Sequence, residues 1–264
     1  MKADNKTGQV SSLERGLLFL PLAAGIIFGV LPFFMGGGFG RAVGYAGNDT
    51  FIYRLAGAAT LGYGIAYIMG LMQSDWAPVR LVVVATLTFN IASIFACVME
   101  MVSGTANWFS YMITGASIIL IAITAWVLSQ HWGARAPASD VSAGTIRGLG
   151  LGVVLSGALG LLPLFVPVLL AQLVGYKGTD VFIIRQAGAA SLGYAVMAFF
   201  GIRSGAWQEL RLPSVMALVF NGFSLIAAIL AILNHDPLLI VLVIGAAALF
   251  VTVTTPMTLQ RQGK

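Results

Sequence analysis

The sequence predicts an all-α integral membrane protein. It predicts eight transmembrane helices, set out as two parallel four-helix repeats about a pseudo-two-fold axis along the membrane normal. Three observations lead there. Only 9% of the 264 residues are charged and 59% are hydrophobic, against about 25% charged in a soluble domain, so a water-facing surface could not be covered. The apolar residues fall into runs long enough to cross a bilayer. And one segment occurs twice.

The runs lie at about 17–35, 50–73, 80–101, 108–130, 149–173, 181–202, 212–233 and 237–257. Each approaches the roughly 20 residues that a helix needs to span about 30 Å of hydrocarbon. Between them stand GGGFGRAVGYAGND, QSDWAP, SGTAN, GARAPASDVSAGTIRG, GYKGTD, RSGAWQE and NHDP, rich in the Gly, Pro, Asn and Asp that turns require. The stretch 132–147 reads as a linker between a first repeat, 1–131, and a second, 148–264. The first run is longer than a signal-peptide core. Its LPFF (31–34) also matches LPLF (162–165), so it is expected to remain in the mature chain.

Lys and Arg sort by side. Lys2, Lys6, Arg15, Arg80, Arg135, Arg147, Arg203, Arg211, Arg261 and Lys264 fall on one side, and Arg41, Lys177, Arg54 and Arg185 on the other. The positive-inside rule then places both termini in the cytoplasm of a multi-pass cell membrane. The basic balance, pI near 9.6, reads as these orienting charges and not as a nucleic-acid surface. Trp76, Trp108, Trp132 and Trp207 sit at span ends, where an amphipathic indole belongs.

FIYRLAGAATLGY (51–63) returns as FIIRQAGAASLGY (182–194). The offset of 131 also aligns GYAGND with GYKGTD, Trp76 with Trp207, Arg80 with Arg211, Asn90 with Asn221 and Ser93 with Ser224. Four spans per repeat make both repeats enter the membrane in the same direction. Duplication could equally record an ancestor that worked as a homodimer; the geometry expected is the same. Ala58, Gly62, Ala66 and Gly70 form a four-residue ridge, largely repeated by Ala189, Gly193 and Gly201 with Met197 interrupting. In lipid such ridges let helices approach closely.

Candidate binding residues form two layers. Arg54 and Arg185 lie five residues beyond Asp49 and Asp180, one to two turns inside the outer helix ends. They are expected either to snorkel above acids that cap the helices, or to converge on an anion, carboxylate or lipid phosphate. Deeper lie Asn90 and Asn221, Thr60 and Ser191, Tyr63 and Tyr194. They read either as interhelical hydrogen-bond glue or as a midplane site between the repeats.

Several chemistries are absent from the sequence. His131 and His235 cannot form a buried bis-His haem site. No lysine lies within a span, and no carboxylate is near a midplane, Glu100 being closest. Walker A, HExxH and GxSxG patterns are missing. Cys97 is the lone cysteine. No catalytic residue, metal site or cofactor is therefore expected. The functional expectation is a non-enzymatic membrane protein with a small-molecule, anion or lipid site between its repeats, acting as a carrier; the alternative is an accessory or scaffold subunit of a membrane complex. The expected partners are membrane lipid or another membrane protein, and no nucleic acid.

Overall fold

A computed structural model describes residues 8–131, 133–139, 141–173, 180–234 and 239–262, without the side chains of 261 and 262. Lys2, Lys6, Trp132, Lys177, His235 and Lys264 lie outside the described residues.

Every element among them is a helix. The chain runs through α1 (Ser12–Met35), α2 (Gly37–Ala42), α3 (Thr50–Leu71), α4 (Ala77–Val102) and α5 (Trp108–Gln130). It continues through α6 (Ala143–Phe165), α7 (Pro167–Leu173), α8 (Val181–Ser204), α9 (Trp207–Leu233) and α10 (Leu239–Gln262).

Differences from the expected spans have local causes. α1 starts before residue 17 because Ser11 and Glu14 form a capping box: the Glu14 amide donates to Ser11 Oγ, and the Ser11 amide to Glu14 Oε2 at 2.7 Å. The GGGFG run is not a plain loop. Gly36 takes φ +53°, which suits glycine, and the chain turns there into α2. The run 149–173 is two helices. Pro167 has no amide to donate and disfavours helical geometry at Val166, so α6 stops and α7 begins. α6 itself starts inside the expected linker, with the Ser142 side chain accepting from the Thr145 amide.

Seven helices, α1, α4, α5, α6, α8, α9 and α10, are long and apolar enough to cross a membrane. The protein is therefore a multi-pass helical membrane protein in architecture. α3 falls outside that set, because its tyrosines, glycines and Arg54 dilute its hydropathy. Most of α3 is buried among the other helices.

The long helices alternate between two faces. The proximal face holds the start of α1 and the ends of α3, α5 and α8: Arg15 donates to the carbonyls of Leu71 and Gln73, and His131 meets Glu14. The distal face gathers Val43, Asn107, Asp49 and Asp180. α3, α4, α8 and α9 form the centre, α1 packs along α3, and α6 along α8. α4 crosses to α8 as α9 crosses to α3, while α5 and α10 lean on α4 and α9. The expected linker is strapped down: the Ala136 amide donates to Glu209, and the Trp207 amide to Ser139 Oγ.

Candidate binding cavities

The duplicated segment builds the central contact. Gly62 leaves no room for a side chain: a β-carbon there would strike the Tyr194 hydroxyl and stand 2.8 Å from the Met216 carbonyl oxygen. At Gly193 a β-carbon would strike the Tyr63 hydroxyl and stand 2.7 Å from the Ala85 carbonyl oxygen. The close approach lets Tyr63 donate to the Ala190 carbonyl at 3.0 Å, and Tyr194 to the Ala59 carbonyl at 2.9 Å. Both tyrosines are buried, with ring centroids 5.2 Å apart. α3 has a second close-packed face that the four-residue ridge does not reveal. A β-carbon on Gly25 of α1 would lie 2.8 Å from the Cα of Gly64.

At the distal face the two acids meet. The Asp180 amide donates to Asp49 Oδ2 at 3.0 Å. The Asp180 carboxylate accepts from the amides of Ala46 and Gly47 and from the Tyr53 hydroxyl. Both acids occupy the N-cap positions of α8 and α3, but neither side chain caps its helix. The expected caps are thus replaced, for Asp180, by bonds into the opposite half. Tyr45 stacks on Phe182 at 5.3 Å; burial, then the nearby Glu100, pushes its phenol well above its ordinary value.

The arginines go separate ways. Arg185 reaches Glu100 of α4, Nη1 to Oε2 at 4.0 Å. In the second half the position equivalent to Glu100 is Ala231, and Arg54 has no ion pair among the described residues. The Nε atoms of both arginines are buried without a hydrogen-bond partner there. Three ion pairs or polar ties escaped the sequence reading: Glu14–His131 at 2.8 Å, Arg80–Glu209 at 2.7 Å, and Gln186 accepting from Ser93 at 2.8 Å. All are long-range, so no local pattern announces them.

The deeper polar layer lines two cavities, one mainly in each half. Thr60, Tyr63 and Asn90 line the first, enclosed by α1, α3, α4 and α5, with Phe182, Ile183 and Gln186 of α8 at its distal end. Ser191, Tyr194 and Asn221 line the second, between α6, α8, α9 and α10, with Ile52 and Leu55 of α3 at its distal end. Thr60, Asn90 and Asn221 each bond a carbonyl of their own helix, so they glue no helix pair directly.

The cavities differ in size, about 100 Å³ against about 630 Å³. In the first, Tyr67 donates to Thr86 Oγ1 at 2.8 Å and fills the proximal end. The same positions in the second half, 131 residues on, are Ala198 and Ala217. α5 also packs on both α4 and α1, whereas α10 packs on α9 and not substantially on α6. The second cavity is therefore a cleft, with α6 and α10 as its walls.

Among the described residues no group of three or more His, Cys, Asp or Glu side chains gathers to hold a metal ion. Searches against protein-family models, curated proteins and solved structures find no match for this chain.

Proposed function

We propose that this protein is a non-enzymatic, eight-span membrane protein whose second half binds a membrane lipid in the α6–α10 cleft, as a carrier or lipid-dependent membrane component. The eighth span is α3. Its low hydropathy suits a helix that touches other helices more than lipid.

The parallel-repeat arrangement is supported at three levels. Asp180 meets Asp49, Tyr63 and Tyr194 exchange bonds with Ala190 and Ala59, and Arg80 meets Glu209. Their sequence separations are 131, 127, 135 and 129, so each residue meets the neighbourhood of its own counterpart. An axis parallel to the helices brings equivalents together at every depth, whereas an inverted repeat would do so at one depth only. The proximal face, where Arg15, Arg80, Arg135 and Arg147 lie, is assigned to the cytoplasm.

The cleft carries the functional reading. One wall runs from Thr258 to Ile240 of α10, about 27 Å at 1.5 Å per residue, close to the hydrocarbon thickness of about 30 Å. Its volume of about 630 Å³ is within the usual range for ligand sites. A mainly apolar slot of that length matches an extended hydrocarbon chain. The scaffold alternative finds its support in the largely uncovered outer faces of α5, α6 and α10.

The decisive experiment grafts the first half's filling pair onto the second. Ala198→Tyr with Ala217→Thr introduces a pair already accommodated at the equivalent positions. Native mass spectrometry of the purified protein should show bound lipid in wild type and at least severalfold less in the double variant, with melting unchanged or raised. Equal lipid in both proteins would defeat the reading. A stoichiometric protein partner in mild detergent, with no retained lipid, would favour the scaffold.

A further inference from the structure

The cleft is not uniform along its length, and the sequence of its lining orders a ligand within it. This inference rests on the lipid reading above. Its distal end is apolar: Ile52, Leu55, Leu170, Ile184 and Ile240. Ser191 and Asn221 lie at mid-depth. The proximal end gathers hydroxyls from three helices, Thr145 of α6, Ser214 of α9, and Thr254, Thr255 and Thr258 of α10. The first cavity has no such row; Tyr67 and Thr86 occupy its proximal end and bond each other.

We infer that the cleft holds a phospholipid with its headgroup at the proximal hydroxyl row and an acyl chain running towards Ile240. Burying a phosphate against the distal isoleucines would strip it of water with nothing in return, which excludes the opposite orientation. Arg54 and Arg185, the distal cations, do not line the cleft. Arg147 stands on the turn of α6 between Thr145 and Gly148, both lining residues, and is exposed. It has no acid partner among the described residues, so it is free to meet a phosphate at the mouth.

The headgroup chemistry follows from the hydroxyls. Ser214 donates to the Leu210 carbonyl, Thr254 to Phe250 and Thr258 to Thr254. With those protons committed, these three oxygens offer acceptors, while Thr255 Oγ1 and Thr145 Oγ1, which shares a proton with Ser142 Oγ, can still turn a proton to a phosphate. The row therefore suits a headgroup with O–H or N–H donors next to its phosphate, such as glycerol or ethanolamine, and not the donor-free choline. Small residues on the facing wall, Gly144, Gly148 and Gly152, leave space there: a β-carbon on Gly148 would meet nothing within 4 Å.

The test is positional. Wild type and the Ala198→Tyr/Ala217→Thr variant are reconstituted in phosphatidylglycerol vesicles doped with the same lipid carrying a diazirine, either on the terminal chain carbon or beside the glycerol ester. After irradiation, the chain-end probe should label Leu170, Ile184 or Ile240, and the ester probe Thr145 or Thr258, in wild type only. The reversed pattern would overturn the orientation and leave the lipid reading standing. Label absent from both ends would overturn the lipid reading itself. In a second arm, purified protein is equilibrated with equal phosphatidylglycerol and phosphatidylcholine, and bound lipid is weighed by native mass spectrometry. Wild type should retain several times more phosphatidylglycerol, and Arg147→Gln should lower the retention of both lipids severalfold. A wild-type ratio near one, or no change in the variant, would remove the headgroup assignment.

Discussion

Tyr63 and Tyr194 show how one duplicated residue does two tasks. Each ring borders its own half's cavity, and each hydroxyl crosses to the other half's backbone. Because Ala190 and Ala59 carbonyls already serve their own helices, losing one hydroxyl strands no acceptor. Tyr63→Phe and Tyr194→Phe should therefore each lower stability by only about 1 kcal/mol, read as thermal unfolding in detergent. Gly62→Leu and Gly193→Leu should be worse, about 1–3 kcal/mol or more, since backbone carbonyls lie within 3 Å of the new β-carbon. Unchanged melting of the leucine variants would contradict the close packing. The arginines should also separate. Arg185→Gln strands the buried Glu100, a charge left unpaired away from water, whereas Arg54→Gln strands no acid. The first substitution should lower the melting temperature by clearly more than the second; equal shifts would show that the Glu100 contact contributes little.

Among the elements, α1 illustrates how a local signal becomes a tertiary one. Ser11 and Glu14 cap the helix, and Glu14 then continues to His131 at the end of α5, whose ring stacks on Trp76 at 4.4 Å. Ser11→Ala should cost about 1 kcal/mol, as cap losses do. Glu14→Ala should cost more, because it removes the reciprocal cap and the imidazole's partner together. Melting curves of the two variants compare them directly, and equal losses would mean that the His131 contact adds nothing beyond the cap. α6 and α10 are the opposite case. Little of either is buried, and the cleft between them is set by what they fail to touch.

For the molecule as a whole, the assignment of faces is directly testable. Cys97 is the only cysteine and is buried, so single introduced cysteines can be read against a quiet background. Thr105→Cys, in the distal loop after α4, should react with an impermeant maleimide on intact cells. Arg135→Cys, on the proximal side, should react only after permeabilisation. Swapped labelling would invert the topology; the helix packing would be unaffected.

Composition, run length and the doubled segment determined by themselves that this is a multi-pass helical membrane protein, and they located its long helices to within about six residues, while reading α6 and α7 as one and missing α2. Those features are local: hydropathy, Ser-x-x-Glu capping and glycine spacing act over one or two turns. They also singled out Tyr63, Tyr194, Asn90, Asn221, Thr60 and Ser191 as polar groups at depth. What the tertiary structure alone decided is where those groups face. The polar layer lines two cavities, one mainly in each half, Asp180 reaches across to Ala46 and Gly47, and Arg185 finds Glu100 while Arg54 pairs with no acid among the described residues. The physical reason is that a repeated local sequence favours the same helix twice, but the space left between helices depends on pairs far apart in the chain. Tyr67 with Thr86 closes one cavity; Ala198 with Ala217 leaves the other open.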